Sequence, residues 1–134
     1  MDDQERLKQG MAVRRAVLGD AWVDRAMARR NAFTADFQDF ITRIAWGEIW
    51  SRPGLDRRSR SLVTLGTLIA LGRWEEFRLH VGAAINNGVT ADEIKEVILH
   101  TAVYAGVPAA NSAFNEAQEA LKACGLDPAG GQGG

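Results

Sequence analysis

Gly72-Arg-Trp-Glu-Glu-Phe-Arg-Leu-His-Val-Gly-Ala-Ala-Ile-Asn-Asn-Gly88 is the stretch from which the rest of the chain is read. A glycine stands at each end, and the spacing between them predicts one helix. Trp74, Phe77, Val81, Ala84 and Ile85 recur at helical intervals and make an apolar stripe. His80 lies where that stripe meets the polar side. Glu76 precedes it at i−4, where side chains on one helix meet. Arg73 precedes it by about two turns, near the same face. A cation, a carboxylate and an imidazole thus share one edge of an otherwise apolar helix. Other helices are expected to pack around it.

Working outward, Thr90-Ala-Asp-Glu93 is a capping box, in which side chains satisfy the first backbone N–H groups of a helix. The helix it opens carries Ile94, Val97, Ile98, Thr101 and Ala105. Gly106-Val107-Pro108 breaks it, and a last helix is predicted from Ala109 to Ala123, ended by Gly125. Upstream, Arg52-Pro53-Gly54 is a break. From Asp56 to Leu71 the chain reads as a helix, polar at first and then so apolar, Leu62 to Leu71, that burial on more than one side is expected. Before the break, Thr34 is an N-cap candidate for a helix from Ala35 to Trp50. Its inward stripe is Phe37, Phe40, Ile41, Ile44 and Ala45, then Trp46 and Ile49. Asp20 is expected to cap a helix reaching Arg30, with Trp22, Val23, Ala26 and Met27 inward. The first helix runs from Asp3 to Leu18, with Leu7, Met11, Val13, Val17 and Leu18 as apolar contacts. Gly10 weakens it by about 1 kcal/mol relative to alanine. No stretch alternates with period two over strand length. The fold class is therefore all-α, a single-domain bundle of about six to seven helices. Residues 1–126 form the helical domain, and 127–134 are expected to be a disordered, glycine-rich tail.

A chain of 134 residues is long enough for one real core. A net charge of −1 gives no electrostatic case for nucleic acid or for an anionic membrane surface. Of the 16 cations only Lys8, Lys95 and Lys122 are lysines, so arginine, the residue suited to bidentate contact with carboxylates, predominates. The codon usage of a GC-rich genome is the better account of most of them. The single cysteine, Cys124, makes neither an internal disulfide nor a CxxC pair. The first residues carry no apolar segment of the kind a signal peptide needs, and no apolar run reaches transmembrane length. The expected compartment is the cytoplasm.

Few residues can carry chemistry. His80 can donate or accept a proton near neutral pH; its plainer role is packing in a helix bundle. In Trp46-Gly-Glu48-Ile-Trp50, a carboxylate walled by indoles would lose solvent and hold a proton near neutrality. Against that stands an exposed glutamate on a polar face. His100 and Tyr104 form an i, i+4 pair, with Asn111 beyond the Pro108 break. They can line a pocket or satisfy one another at a helix or subunit contact. The doubled cations Arg14-Arg15 and Arg57-Arg58-Ser59-Arg60 read mainly as solvated faces, although a polyanionic substrate needs one or two of them. No histidine or cysteine spacing fits a metal site, and no GxSxG, P-loop or GxGxxG occurs.

Four segments together resemble the carboxymuconolactone decarboxylase family, relatives of the alkyl hydroperoxidase D-like proteins. They are Gly10-Met-Ala-Val-Arg-Arg-Ala-Val-Leu-Gly-Asp20, Trp46-Gly-Glu-Ile-Trp50, Gly54-Leu-Asp-Arg-Arg-Ser-Arg-Ser-Leu62 and His100-Thr-Ala-Val-Tyr-Ala-Gly-Val-Pro-Ala-Ala-Asn111. The resemblance covers the chain apart from its tail. Where the hydroperoxidases carry CxxCxxxH, this sequence has Arg73, Glu76 and His80, which argues against a thiol peroxidase. The resemblance implies cofactor-free decarboxylation of 4-carboxymuconolactone to 3-oxoadipate enol-lactone, in the protocatechuate branch of the β-ketoadipate pathway. It implies a small dicarboxylate lactone as substrate, no metal, and a homo-oligomer, a hexamer. His80 and Glu48 are the acid/base pair of this reading, with Arg15, Arg73, Glu76, Trp46, His100, Tyr104 and Asn111 around the substrate. A non-enzymatic helical binding module and a hydroperoxidase-type redox protein are the alternatives.

Overall fold

The structure, a computed structural model, describes residues 1–130, and its regular elements are all helical. In chain order the helices are α1 (Asp3–Leu18), α2 (Asp20–Ala28), α3 (Ala35–Ile41), a π-helix (Thr42–Ile49), α4 (Arg57–Leu71), α5 (Trp74–Asn86), α6 (Ala91–Ala105) and α7 (Val107–Ala123). A 3₁₀ turn, Pro128–Gly130, follows. No strand occurs among the described residues, so the all-α expectation holds. Of the stretch expected to be a disordered tail, Pro128–Gly130 form this turn, and residues 131–134 lie outside those described. The helices form two compact units, Met1–Arg57 and the chain from Arg58 on.

In the first unit α1 opens on a capping box: Glu5 N donates to Asp2 Oδ1 at 2.8 Å, and Asp2 N donates to Glu5 Oε2 at 3.1 Å. Gly19, at φ 92°, ends it in the left-handed region that glycine enters without strain. It also sits at the cap of α2, so Asp20 is the first helical residue rather than the cap. The Asp20 carboxylate goes to Arg15 instead. The buried face of α1 is Gly10, Val13, Arg14 and Val17, and it packs on the π-helix. Gly10 is required for that packing, because a Cβ there would lie 2.0 Å from the Thr42 carbonyl oxygen. Gly47 meets α1 in the same way, its Cβ position 2.6 Å from the Arg6 carbonyl. Two glycines let two backbones touch.

The expected helix from Ala35 to Trp50 is thus two elements. Thr42 Oγ1 donates to the Gln38 carbonyl at 2.7 Å, a back-bond that loosens the helical ladder. Beyond it the turns widen, and Trp50 N reaches Ala45 O at 2.8 Å, an i→i−5 bond. The wider turn rotates the part of the stripe that follows Ile41, and the stripe before it is not inward either. Phe37, Phe40 and Ile49, expected inside, are exposed, while Thr42, Trp46 and Gly47 are buried. Thr34 stands at the predicted cap position without a side-chain cap bond. Asn31 Oδ1 accepts from Phe33 N and Thr34 N there instead.

The second unit has the main core, built on Leu65 and Ile69 of α4, Phe77 and Val81 of α5, and Ile94 and Ile98 of α6. α7 packs on both α5 and α6. Its buried stripe is Ala110, Ala113, Ala117 and Ala120, small enough for neighbouring backbones to approach closely. Pro108 lies in the first turn of α7, where its missing N–H costs no helical bond; the helix therefore begins at Val107, earlier than predicted. The Thr90–Glu93 capping box forms as predicted, at 3.1 and 2.9 Å. α4 corrects a second expectation. Only Ser61, Leu65 and Ile69 are buried in it, and Val63 and Leu71 are exposed.

Candidate active site

α5 positions His80 by the arithmetic of its stripe. Phe77, Val81 and Ala84 are fully buried, and His80, one position before Val81, is carried to the edge of the core. Burial pushes the imidazole pKa down from 6.5 to about 4, and the Glu76 carboxylate one turn earlier pulls weakly the other way. The ring is neutral at pH 7, with one N–H donor and one acceptor nitrogen. Glu76 itself is exposed. Arg73 is exposed and stands at the N-cap of α5, so it precedes the helix rather than lying on its face. Its carbonyl accepts the Phe77 N–H at 2.8 Å, the first helical bond. At the other end of α5, Asn87 Nδ2 donates to the buried Ser61 Oγ at 3.0 Å, which ties the helix to α4.

His100 and Tyr104 on α6 are brought together, their rings 5.1 Å apart and tilted by 41°. Both are exposed, Tyr104 at 80 %. They border an open, mainly apolar groove between α4 and α6 with Leu62, Val63, Gly66 and Thr101. Asn111, on α7, is exposed.

In the first unit Trp46 is buried and stacks on Trp50, ring centroids 5.2 Å apart. The two indoles face each other and do not wall Glu48, which points to solvent from the π-helix. The expected desolvation of Glu48 is therefore absent, because residues 46 and 50 share a face and 48 falls on the far side. Arg15 is engaged by Asp24 at 2.8 Å and Asp20 at 3.2 Å. Its neighbour Arg14, read from sequence as part of a solvated face, is buried. The signal was in the spacing: Gly10, Arg14 and Val17 stand at i, i+4 and i+7, whereas Arg15 is turned about 100° away.

The profile of the Carboxymuconolactone decarboxylase family matches residues 35–119. The chain belongs to the carboxymuconolactone decarboxylase family. Trp46, Glu48, Arg73, Glu76, His80, His100, Tyr104 and Asn111 fall inside the family match, and Arg14 and Arg15 precede it. The chain is 55 % identical over 128 residues, 96 % of each chain, to 4-carboxymuconolactone decarboxylase of Acinetobacter baylyi. It is 47 % identical over 113 residues to nitrosuccinic acid decarboxylase npaB of Metarhizium robertsii, covering 84 % of this chain and 79 % of that one. A 48-residue sequence of 4-carboxymuconolactone decarboxylase from Pseudomonas putida is 54 % identical over its full length, which is 36 % of this chain. Among the described residues no helix is long and apolar enough to cross a membrane.

Proposed function

We propose that this chain is a carboxy-lyase that converts 4-carboxymuconolactone to 3-oxoadipate enol-lactone without a cofactor, a step of protocatechuate catabolism. The observation that carries this reading is the identity to the Acinetobacter baylyi enzyme along nearly the whole of both chains.

The substrate supplies its own electron sink. Its departing carboxylate sits on the γ-carbon of an unsaturated lactone. As the C–C bond breaks, carbon dioxide leaves and the electron pair flows through the double bond onto the lactone carbonyl oxygen. One proton added at the α-carbon of that dienolate completes the reaction. The substrate named for the second relative, nitrosuccinic acid, likewise bears an electron-withdrawing group. The protein has to bind two carboxylates, stabilise the dienolate oxygen and manage one proton.

His80 manages the proton. Its burial leaves it neutral when the site is empty, and a dianionic substrate beside it raises its affinity for a proton, as Glu76 does weakly already. The imidazolium formed on binding then donates to the α-carbon. Glu48, open to solvent, is the second acid/base residue of this reading. Arg73, Trp46, Asn111 and the His100–Tyr104 pair are the remaining candidates for substrate contact. The working unit is a cytoplasmic homohexamer. Exposed apolar side chains support assembly: Phe33, Phe37 and Phe40 in the first unit, and Val63, Val103 and Val107 in the second.

The test is direct. Protein dialysed against a strong chelator is given 4-carboxymuconolactone, and carbon dioxide release is followed. Turnover at an unchanged rate is expected. No release, or release restored only by one particular metal ion, sinks the reading. Release from nitrosuccinic acid alone would leave a decarboxylase with a different acid as its substrate.

A further inference from the structure

The first unit buries a charge without a counter-ion. Arg14 is 2 % exposed. Its Nη2 donates to Gln38 Oε1 at 3.1 Å, and its guanidinium carbon lies over the Trp22 ring, 5.6 Å from the centroid. Nε and Nη1 are buried and meet no hydrogen-bond acceptor. Burial and the like charge of Arg15 both push the Arg14 pKa down, but a guanidinium remains charged in a protein. The buried hydroxyls, by contrast, are hydrogen-bonded: Thr42 donates to Gln38 O, Thr101 to Val97 O, and Ser61 accepts from Asn87. Arg6, Arg15 and Arg30 each have a carboxylate partner. Arg14 has a neutral amide and an indole face.

The geometry of the vacant donors specifies a ligand. Nη2 carries two hydrogens, and Gln38 takes one. The other makes an end-on fork with Nη1 or a side-on fork with Nε. Either fork matches the two oxygens of a carboxylate, the planar anion that arginine binds best in a dry setting. A buried guanidinium left open in this way is costly unless something completes it.

We infer that Arg14 is a carboxylate receptor and that it holds the substrate carboxylate that survives the reaction. That it takes a carboxylate rests on the geometry; that the carboxylate is the substrate's rests on the decarboxylase reading. The retained group is assigned because a strong ion pair on the departing carboxylate would stabilise the ground state against a transition state that loses this charge. Nε and Nη1 are shut off from solvent, so a ligand reaches them only when neighbouring side chains give way.

Three variants test this: Arg14→Met, Arg14→Lys and, as a control, Arg25→Gln at an exposed position of α2. For Arg14→Met, KM for the lactone should rise about tenfold to a hundredfold, the worth of a charged hydrogen-bonded contact, with kcat changed less than about threefold. Its Tm should be no lower than wild type, because an apolar side chain replaces an uncompensated buried charge. Arg14→Lys keeps the charge without the fork, so its KM should also rise. Arg25→Gln should match wild type. A lowered Tm with unchanged KM in Arg14→Met means a structural role and overturns the proposal. If that variant does not fold, wild-type KM in Arg14→Lys overturns it. A thermal-shift titration with maleate, a dicarboxylate that needs no turnover, separates the proposal from the function it rests on. Maleate should raise the Tm of wild type and not of Arg14→Met, whether or not the lactone is consumed. No shift in wild type overturns the receptor. So does a change of assembly mass in Arg14→Met, which would assign the carboxylate to a second copy of the chain.

Discussion

Burial keeps the His80 imidazole neutral, and stability should report it. The folded pKa is about 4, against 6.5 for a free imidazole. Between these values the unfolded chain binds a proton that the native chain refuses. Stability from this residue is therefore fully present above about pH 6.5 and is lost as pH falls toward 4. The loss is on the order of 3 kcal/mol at most. Denaturant unfolding at pH 7 and pH 4.5 should show a drop in wild type and a smaller one in His80→Gln. Equal drops would mean that the ring is solvated. His80 was legible in the sequence because the stripe of α5 is regular and its neighbours are unambiguous. The arginines were harder. Residue type singled out the pair 14–15, but only the register of α1 on a glycine contact decides which is buried, and that contact involves residues more than thirty positions away.

At the scale of elements, the sequence placed the existence and most boundaries of the helices, since caps such as Thr90–Glu93 and stops such as Gly88 are local chemistry. It missed the π-helix. A stretch from Ala35 to Trp50 has room for the same apolar residues at 3.6 per turn or at a wider pitch, and the choice is made by backbone contact at Gly10 and Gly47. It also took α5 for the centre of the bundle, whereas in the second unit α7, with its alanine stripe, packs on both α5 and α6. Two glycine replacements test this account with opposite signs. Gly10→Ala gains about 1 kcal/mol of helix propensity but drives a methyl to 2.0 Å from a backbone oxygen. Overpacking of this kind costs about 1–3 kcal/mol or more, so the variant should be less stable. Gly82→Ala, in α5, meets Cys124 Sγ at an ordinary 3.7 Å and should be neutral or stabilising by up to about 1 kcal/mol. Thermal unfolding of both, compared with wild type, decides it. A stable Gly10→Ala would contradict the α1–π-helix contact.

At the scale of the whole molecule, the apolar run in α4 was expected to be covered on more than one side, and a single chain covers one. Val63 of α4 and Val103 and Val107 around the α6–α7 junction stay exposed, and the proposed homohexamer would cover them. Light scattering at micromolar concentration should give six times the 14.6 kDa of one chain. Val103→Lys should reduce that mass, and a monomer in wild type would refute the assembly.

The central claim is that a family enzyme without catalytic cysteines manages its single proton from α5. Steady-state turnover of 4-carboxymuconolactone by His80→Gln and by His100→Gln tests this most directly. The account predicts that His80→Gln stays folded and loses about two to four orders of magnitude in kcat, while His100→Gln loses far less. Near-full kcat in His80→Gln with turnover abolished in His100→Gln would contradict it and move the chemistry to the α6 face beside Tyr104.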